Sequence, residues 1–277
     1  MVFFTPDGAF IENDGTFDID KIFDCGQCFR FDKYENEWRG VALGRSLCVR
    51  AQPGGALLCG VGREEYEKVW RGYFDMDTDY NAINTYLARD AQVADSLTFA
   101  RGIRILRQDR WETLCSFIIS QNNNIPRIKK IVASLCANFG ERISEDVYAF
   151  PSAQTVLAAG EEGLAVIRSG FRAKYIIDAA RQVESGDIDL GSIEKMDHGT
   201  AKAYLMRIKG VGSKVADCVL LFGYGFFDAF PRDVWIKRVI DKYYGDTFDE
   251  SVFAPYGGIA QQYLFYRERY MSKPVNA

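Results

Sequence analysis

The 277-residue sequence predicts an α+β protein in which a small N-terminal antiparallel β-sheet region packs on a mainly α-helical body. Two observations carry this. The first 60 residues alternate apolar and polar side chains in short runs separated by turn residues, and from about Arg63 onward the apolar residues recur at helical spacing. No repeat, low-complexity segment or long linker interrupts the chain, and the change of pattern divides it into a β-rich part, 1–98, and a helical part, 99–277.

In CFRFD, Phe29 and Phe31 alternate with polar neighbours; EWRGVAL and SLCVRA continue the pattern, and the Pro53-Gly54-Gly55 turn precedes ALLCGV. These segments are expected to form a meander of short antiparallel strands. Ile128, Ile131, Val132, Leu135 and Phe139 then make an apolar helical stripe, opened by Asn124 and Pro126 and stopped by Gly140. Ala201, Tyr204, Leu205 and Ile208 make a second stripe, with Thr200 as the expected cap. Ile236, Val239, Ile240 and Tyr243 make a third, with Asp233 placed to cap its start and Gly245 to end it.

Composition excludes several classes of function. A hydrophobic content of 48% with 26% charged residues argues against disorder. No apolar run reaches the roughly 18 residues of a membrane span, because Asp217 and Asp228 interrupt the best stretch. The opening MVFFTPDGAF lacks the charged, apolar and cleavage regions of a secretory signal, so an intracellular address is expected. Seven scattered cysteines do not resemble a disulfide framework. Cys25 and Cys28 form a CxxC, but no second pair completes a zinc site: Cys48 and Cys59 are widely spaced and His198 is the only histidine. The pair also lies in a β-patterned segment, unlike a redox motif at a helix start. Neither a metal nor a cofactor is expected.

The formal net charge of −4 argues against a nucleic-acid partner, but its distribution argues the other way. Residues 1–99 carry 10 Lys/Arg against 17 Asp/Glu, and residues 101–142 carry 8 against 3. Within that stretch Arg101, Arg104, Arg107, Arg110, Arg127, Lys129 and Lys130 are placed either to line a groove or to form an ordinary solvated helix face.

The sharpest local signal is RIKGVGSKVADC, residues 207–218. Two helices joined by KGVG leave the first N–H groups of the second helix unpaired, and Gly210 and Gly212 let a ligand approach the backbone, so the turn suits an anion. It is not an ATP-binding loop, since the glycines are only two apart and follow a helix. A plain helix-turn-helix corner explains the glycines equally well. Lys214 is harder to explain structurally. With Ser213 as the expected cap, it falls in the first turn, where the positive end of the helix dipole disfavours an ammonium ion. Nineteen residues on, FPRDVW supplies Asp233, which is both an N-cap and a carboxylate available for chemistry.

KGVGSKVADC followed by FPRDVW resembles the signature of the helix-hairpin-helix (HhH-GPD) DNA glycosylases, and within them the 8-oxoguanine DNA glycosylase family. CGQCFRF, SFIISQNNNIPRI, SGFRAKYI and GIAQQYLF extend the resemblance over nearly the whole chain. It implies a TBP-like β-rich domain before the helical glycosylase body. It also implies a bifunctional glycosylase and lyase acting as a monomer on double-stranded DNA that contains an oxidised guanine, likewise without cofactor. By the same resemblance Lys214 is the nucleophile that forms a Schiff base and Asp233 the carboxylate that supports it. Gly26 presents a carbonyl that distinguishes the oxidised base, Cys218 and Phe265 sandwich the purine, and Gln261 bonds its Watson-Crick edge. Asn122 fills the gap left by the flipped nucleotide, Arg127 and Arg172 read the orphaned cytosine, and Gly210 and Gly212 form the phosphate-binding hairpin.

Two departures accompany the match. Trp235 stands where eukaryotic relatives carry histidine against a flanking phosphate, and Pro126 lies in the NNN loop. No cysteine follows Cys218, so the iron-sulfur cluster of the endonuclease III and adenine glycosylase relatives is excluded. A non-catalytic DNA clamp and a glycosylase for alkylated bases remain alternatives at this point.

Overall fold

The computed structural model describes residues 1–272. Six strands, β1 (Val2–Thr5), β2 (Gly8–Glu12), β3 (Phe31–Tyr34), β4 (Glu37–Ala42), β5 (Arg45–Gln52) and β6 (Gly55–Cys59), form an antiparallel sheet in the order β1-β2-β6-β5-β4-β3. A short hairpin, β7 (Arg142–Ser144) and β8 (Val147–Tyr148), stands apart from it. The helices in chain order are α1 (Ile19–Asp24), α2 (Arg63–Glu65), α3 (Arg71–Tyr73), α4 (Tyr80–Leu87), α5 (Ala91–Ala100), α6 (Arg110–Ser120), α7 (Ile125–Phe139), α8 (Ala153–Gly163), α9 (Ala173–Glu184), α10 (His198–Leu205), α11 (Ser213–Val219), α12 (Val234–Tyr243) and α13 (Gly257–Met271). Among the described residues no helix is long and apolar enough to cross a membrane.

Packing divides the chain into two compact units that interleave along the sequence. Among the described residues the first comprises 1–27, 49–107 and 225–272; the second comprises 28–48 and 108–224.

In the first unit the strand register pairs Ala9 with Leu58 and Val49 with Leu58, so that fully buried side chains fall on one face of the sheet, as period-2 alternation requires. Trp70, Phe74, Phe17 and Tyr80 continue this core, with Phe17 edge-on to Phe74 at 5.4 Å. Arg104, only 5% exposed, is bonded through Nε to Thr16 O at 2.9 Å and through a terminal nitrogen to Asp75 O at 2.7 Å, and its guanidinium lies over the Tyr80 ring. The helix α1 interrupts the expected all-β run. Ile19, Ile22 and Phe23 are buried at helical spacing, and Asp18 accepts the Lys21 N–H at 3.2 Å.

The second unit is built on α6, whose Leu114, Cys115, Ile118 and Ile119 are fully buried, and on α7, α9 and α11 around it. Its strand residue Gly40 is fixed by contact, since a Cβ there would lie 2.3 Å from Arg30 O and 2.6 Å from the Phe31 ring.

Short polar residues start most of the helices. Asp79, Asp90, Asp109, Asn124, Ser152, Asp197 and Asp233 each accept a first-turn N–H, while α9, α11 and α13 have no side-chain cap. The expected cap Thr200 is corrected to Asp197. Asp197 accepts the Thr200 N–H at 3.0 Å and the Thr200 hydroxyl at 2.6 Å, so α10 begins three residues earlier than the apolar stripe.

Glu112, in the first turn of α6, is paired with Arg30 at 3.2 Å, and their side chains are only 14% and 9% exposed. Burial pushes the Glu112 carboxyl up to about 7, against the pull of Arg30. The folded state therefore holds this proton more tightly than the unfolded chain. The stability it contributes is complete below the ordinary glutamate range and is lost as pH rises through about 7. Urea titrations of wild type and Glu112→Gln should show a stability difference that moves against the wild type by a few kcal/mol, on the order of 1.4 kcal/mol per unit of pKa, between pH 4.5 and 7.5.

Candidate active site

In the second unit α10 ends at Leu205 and the chain turns through residues 206–212 into α11. Gly210 has φ +84°, and a Cβ there would lie 2.4 Å from the Tyr175 ring, so both the backbone and the packing require glycine. Gly212 serves differently. Its backbone is extended, and a Cβ would meet no protein atom within 4 Å. Gly212, not Ser213, occupies the cap position, because Ser213 already has helical geometry, and Gly212 has no side chain to accept from the first N–H groups of α11. The turn is anchored from below by Asp178, whose Oδ2 accepts the Lys209 N–H at 2.9 Å.

Lys214 is the second residue of α11. Its Nζ lies 3.4 Å from Ser120 Oγ and 5.2 Å from the centre of the Phe117 ring, and its side chain is half-buried. The Ser120 hydroxyl donates to Phe117 O at 2.8 Å, so its oxygen is left as an acceptor toward the amine. Cys218, one turn on and 3% exposed, shares the helix face of Lys214. Asp217, 2% exposed, takes Lys202 Nζ at 2.7 Å and His198 Nε2 at 2.9 Å, tying α11 to α10 through a buried carboxylate.

The loop after α6 carries Asn122, exposed and in the left-handed region at φ +49°. Asn124 caps α7, and Pro126 lies within the first turn of that helix rather than in the loop, where its missing N–H costs nothing. Arg127 is exposed in the same turn. Arg172 is buried to 4%; its Nε donates to Gln121 O at 2.8 Å, and its terminal nitrogens donate to Gln121 O, Asn122 O and Ser169 O. Burial lowers its guanidinium from the usual arginine range, with Arg127 contributing repulsion, which places the two cations in one field. Three residues escape sequence reasoning. Phe171, 49% exposed, lies beside Arg172 with its ring 4.5 Å from the guanidinium, and Ser120 and Tyr175 support Lys214 and Gly210. An aromatic next to an arginine in SGFRAKYI is the only local signal for any of them.

In the first unit, Gly26 follows α1 with φ +79°, in a turn and not in a strand. Its neighbours are pinned. Gln27, fully buried, donates to Ile22 O and Arg104 O and accepts from Leu106 N, while Gln262 Nε2 donates to Cys25 O at 2.6 Å. That last bond brings α13 to the Gly26 turn, and with it Gln261 and, one turn on, Phe265. Gln261 is 4% exposed, and its Oε1 has no partner among the described residues; Phe265 is half-buried. Asp233 caps α12 through a bond from Ile236 N at 2.8 Å, and Trp235 lies in the first turn of the same helix with Arg238 5.1 Å from its ring.

The basic stretch is corrected in part. Arg104 is buried, Arg107 is paired with Asp75 at 3.0 Å, Arg110 with Glu194 and Lys129 with Asp32, and Arg101 bonds Gly15 O. Of the seven cations only Arg127 and Lys130 have no side-chain hydrogen bond or ion pair among the described residues. The CxxC thiol of Cys25 is fully buried, and burial pushes it up to about 12. Among the described residues no cluster of three or more His, Cys, Asp or Glu is arranged to hold a metal ion.

Two family models match the chain in succession. That of the 8-oxoguanine DNA glycosylase N-terminal domain covers residues 9–114, and that of the HhH-GPD superfamily base excision DNA repair protein covers 115–251. The structure of MBOgg1 in complex with a low affinity DNA ligand is similar to this chain over 99% of both, at 38% identity and TM-score 0.92. The Clostridium acetobutylicum 8-oxoguanine glycosylase/lyase, in complex with dsDNA containing cytosine opposite 8-oxoG, is similar over 98% of both, at 35% identity and TM-score 0.92. An N-glycosylase/DNA lyase of Saccharomyces cerevisiae is 37% identical over 62% of this chain, which spans about half the length of that protein, 50%. The paired domain matches and the full-length similarity show that the chain belongs to the 8-oxoguanine DNA glycosylase family of the HhH-GPD superfamily.

Proposed function

We propose that this protein is a bifunctional DNA glycosylase and lyase that flips 8-oxoguanine out of duplex DNA, opposite cytosine, and excises it during base excision repair. It acts as a monomer in the compartment that holds the DNA, nucleoid or nucleus. The division into a β-rich part, 1–98, and a helical glycosylase part, 99–277, belongs to the same reading. The observation that carries the reading is the position of Lys214, an amine in the first turn of the helix that leaves the glycine hairpin, steadied by Ser120 and the Phe117 ring. A DNA clamp without catalysis gives that amine no task.

Chemistry follows from the residue types. The neutral amine of Lys214 attacks C1′ of the flipped nucleotide, and the bond to the base breaks with its electron pair leaving on the base. Opening of the sugar ring then gives a protonated imine. Loss of a C2′ proton expels the 3′ phosphate by β-elimination. Positive charge develops on the sugar as the base departs, and the ionised Asp233 stabilises it. The hairpin of Gly210 and Gly212 takes a backbone phosphate, and the Trp235 indole N–H serves a neighbouring one.

Recognition of the lesion is assigned to Gly26, Gln261, Cys218 and Phe265. Oxidation at carbon eight turns the adjacent ring nitrogen from an acceptor into a donor, which the Gly26 carbonyl accepts. Gln261 supports this assignment independently of resemblance, because a buried amide oxygen without a partner is an acceptor suited to the N–H groups on a purine's Watson-Crick edge. On the opposite strand Asn122 fills the vacated space, with Arg127 and Arg172 beside it and the exposed Phe171 as an apolar wedge between base steps.

Borohydride reduction in the presence of 8-oxoguanine-containing duplex should yield a covalent protein–DNA adduct that is lost in Lys214→Gln; persistent trapping in that variant moves the nucleophile elsewhere. Asp233→Asn should retain duplex binding and slow single-turnover excision by about a hundredfold. The two hairpin glycines should separate cleanly. Gly210→Ala loses stability, by about 1 kcal/mol or more in urea titration, because of the left-handed backbone and the Tyr175 ring. Gly212→Ala keeps its stability and weakens duplex binding in an anisotropy titration.

A further inference from the structure

We infer that residues 168–171, between α8 and α9, form a second anion-binding site, and that it takes a backbone phosphate of DNA beside the base step that Phe171 enters. This rests on the proposed glycosylase function and adds a phosphate contact to that of the glycine hairpin.

The backbone alternates in hand over three residues. Arg168 is left-handed at φ +53° and ψ 37°, Ser169 is right-handed at φ −75° and ψ −7°, and Gly170 returns to the left-handed side at φ +62°. Such alternation turns successive N–H groups toward one side and makes a concavity for an anion. The N–H groups of Ser169, Gly170 and Phe171 make no hydrogen bond among the described residues. Arg172 bonds Ser169 O at 3.1 Å, so the same peptide directs its N–H, that of Gly170, the opposite way. Gly170 is exposed, and a Cβ there would meet no atom within 4 Å, which leaves the space over it open.

A side chain supports the backbone. Ser169 stands at the cap position of the helical turn Gly170–Arg172, which runs into α9, but its backbone is helical instead of extended and its hydroxyl accepts from none of the first N–H groups. Ser169 is 1% exposed, and its Oγ has no hydrogen-bond partner among the described residues. An unmet buried hydroxyl costs the free protein stability, and an oxyanion supplies the acceptor it lacks.

Charge agrees with this. Arg168 is exposed, and its guanidinium makes no hydrogen bond or ion pair among the described residues. Its backbone is one that glycine or asparagine adopts at less cost. Of the five described non-glycine residues of the second unit with positive φ, Glu35, Leu43 and Asp146 lie in two-residue hairpin turns, whose twist requires it, and Asn122 is of a tolerant type. Arg168 alone has neither reason, so a cation is kept where the backbone favours glycine. Residues 163–177 hold Arg168, Arg172 and Lys174 and no carboxylate, in a chain of formal net charge −4. The positive end of the α9 dipole adds to the field. The exposed Phe171 ring beside the site suits a partner that offers bases to stack as well as phosphates, which selects nucleic acid.

The test is equilibrium binding to duplex carrying a tetrahydrofuran abasic analogue, which a lysine cannot open, over a range of salt. Arg168→Gly relieves the backbone and removes the cation, so stability in urea should hold or rise while the slope of log affinity against log salt falls by about 1. Ser169→Ala should keep or raise stability and weaken binding about threefold; a hydroxyl with a purely structural role would lower stability and leave binding unchanged. Single methylphosphonate substitutions, which remove one backbone charge at a time, should reveal a position that weakens binding by the wild type and has no effect on Arg168→Gly. The proposal is overturned if Arg168→Gly keeps the wild-type salt slope, or if every methylphosphonate position acts equally on both proteins. It is also overturned if the Gly170 and Phe171 amide resonances shift with inorganic phosphate and not with duplex, which marks a site for a free anion. A protein that shows these binding signatures and excises no 8-oxoguanine defeats the proposed function alone.

Discussion

One helix holds both loops through which the second unit is proposed to meet DNA. Asp178 of α9 accepts the Lys209 N–H of the glycine hairpin, Tyr175 one turn earlier packs its ring where a Cβ of Gly210 would be, and Arg172 at the head of the helix bonds the carbonyls of Gln121 and Asn122. The spacing of three residues puts all three on neighbouring turns. Ile176, Ile177, Ala179 and Ala180 of the same helix are buried, so the helix that carries these bonds is itself fixed by packing. Irregular backbone near a reaction needs its polar groups satisfied without secondary structure, and here side chains of one rigid element satisfy them.

Much of this architecture could be read from residue types and their spacing. The strands from Phe31 to Cys59, the switch to helix at Arg63, the caps Asn124 and Asp233 and the glycine hairpin all follow local rules, and local rules need only neighbours. The misses share a cause. At Thr200 and Ser213 the residue type suits a cap, but the helix is capped three residues earlier at Asp197 in the first case and one earlier at Gly212 in the second, which side-chain chemistry alone does not settle. The six residues of α1 are too few to establish a period inside a β-patterned stretch. The interleaving of the two compact units depends on contacts distant in sequence, to which composition is blind. The fate of the basic stretch is of the same kind: Arg104, Arg107, Arg110 and Lys129 look alike in sequence, and only folding reveals which acceptor each has found.

Two adjacent glutamines on α13 show how stability and recognition are kept apart. Gln262 uses its amide to fix Cys25 O and hence the turn at Gly26, while Gln261 is buried with an oxygen that no described residue meets. An unmet buried acceptor costs the folded protein free energy, so its retention is understandable where a bound purine supplies the missing donor. On the proposed function, recognition of the oxidised base in the first unit thus divides between one amide that fixes the turn at Gly26 and another left open toward the guest.

The internal engagement of five cations limits what the basic stretch can offer a polyanion. Long-range attraction to a polyanion depends on how many condensed counterions a protein displaces, and guanidinium groups already holding carbonyls or carboxylates displace none. Of the seven cations of the basic stretch, Arg101, Arg104, Arg107, Arg110 and Lys129 hold internal acceptors, so that stretch has Arg127 and Lys130 left to offer a polyanion. On the proposed function, the rest of the hold on DNA then falls to contacts at the lesion itself, the filled gap and the extruded base.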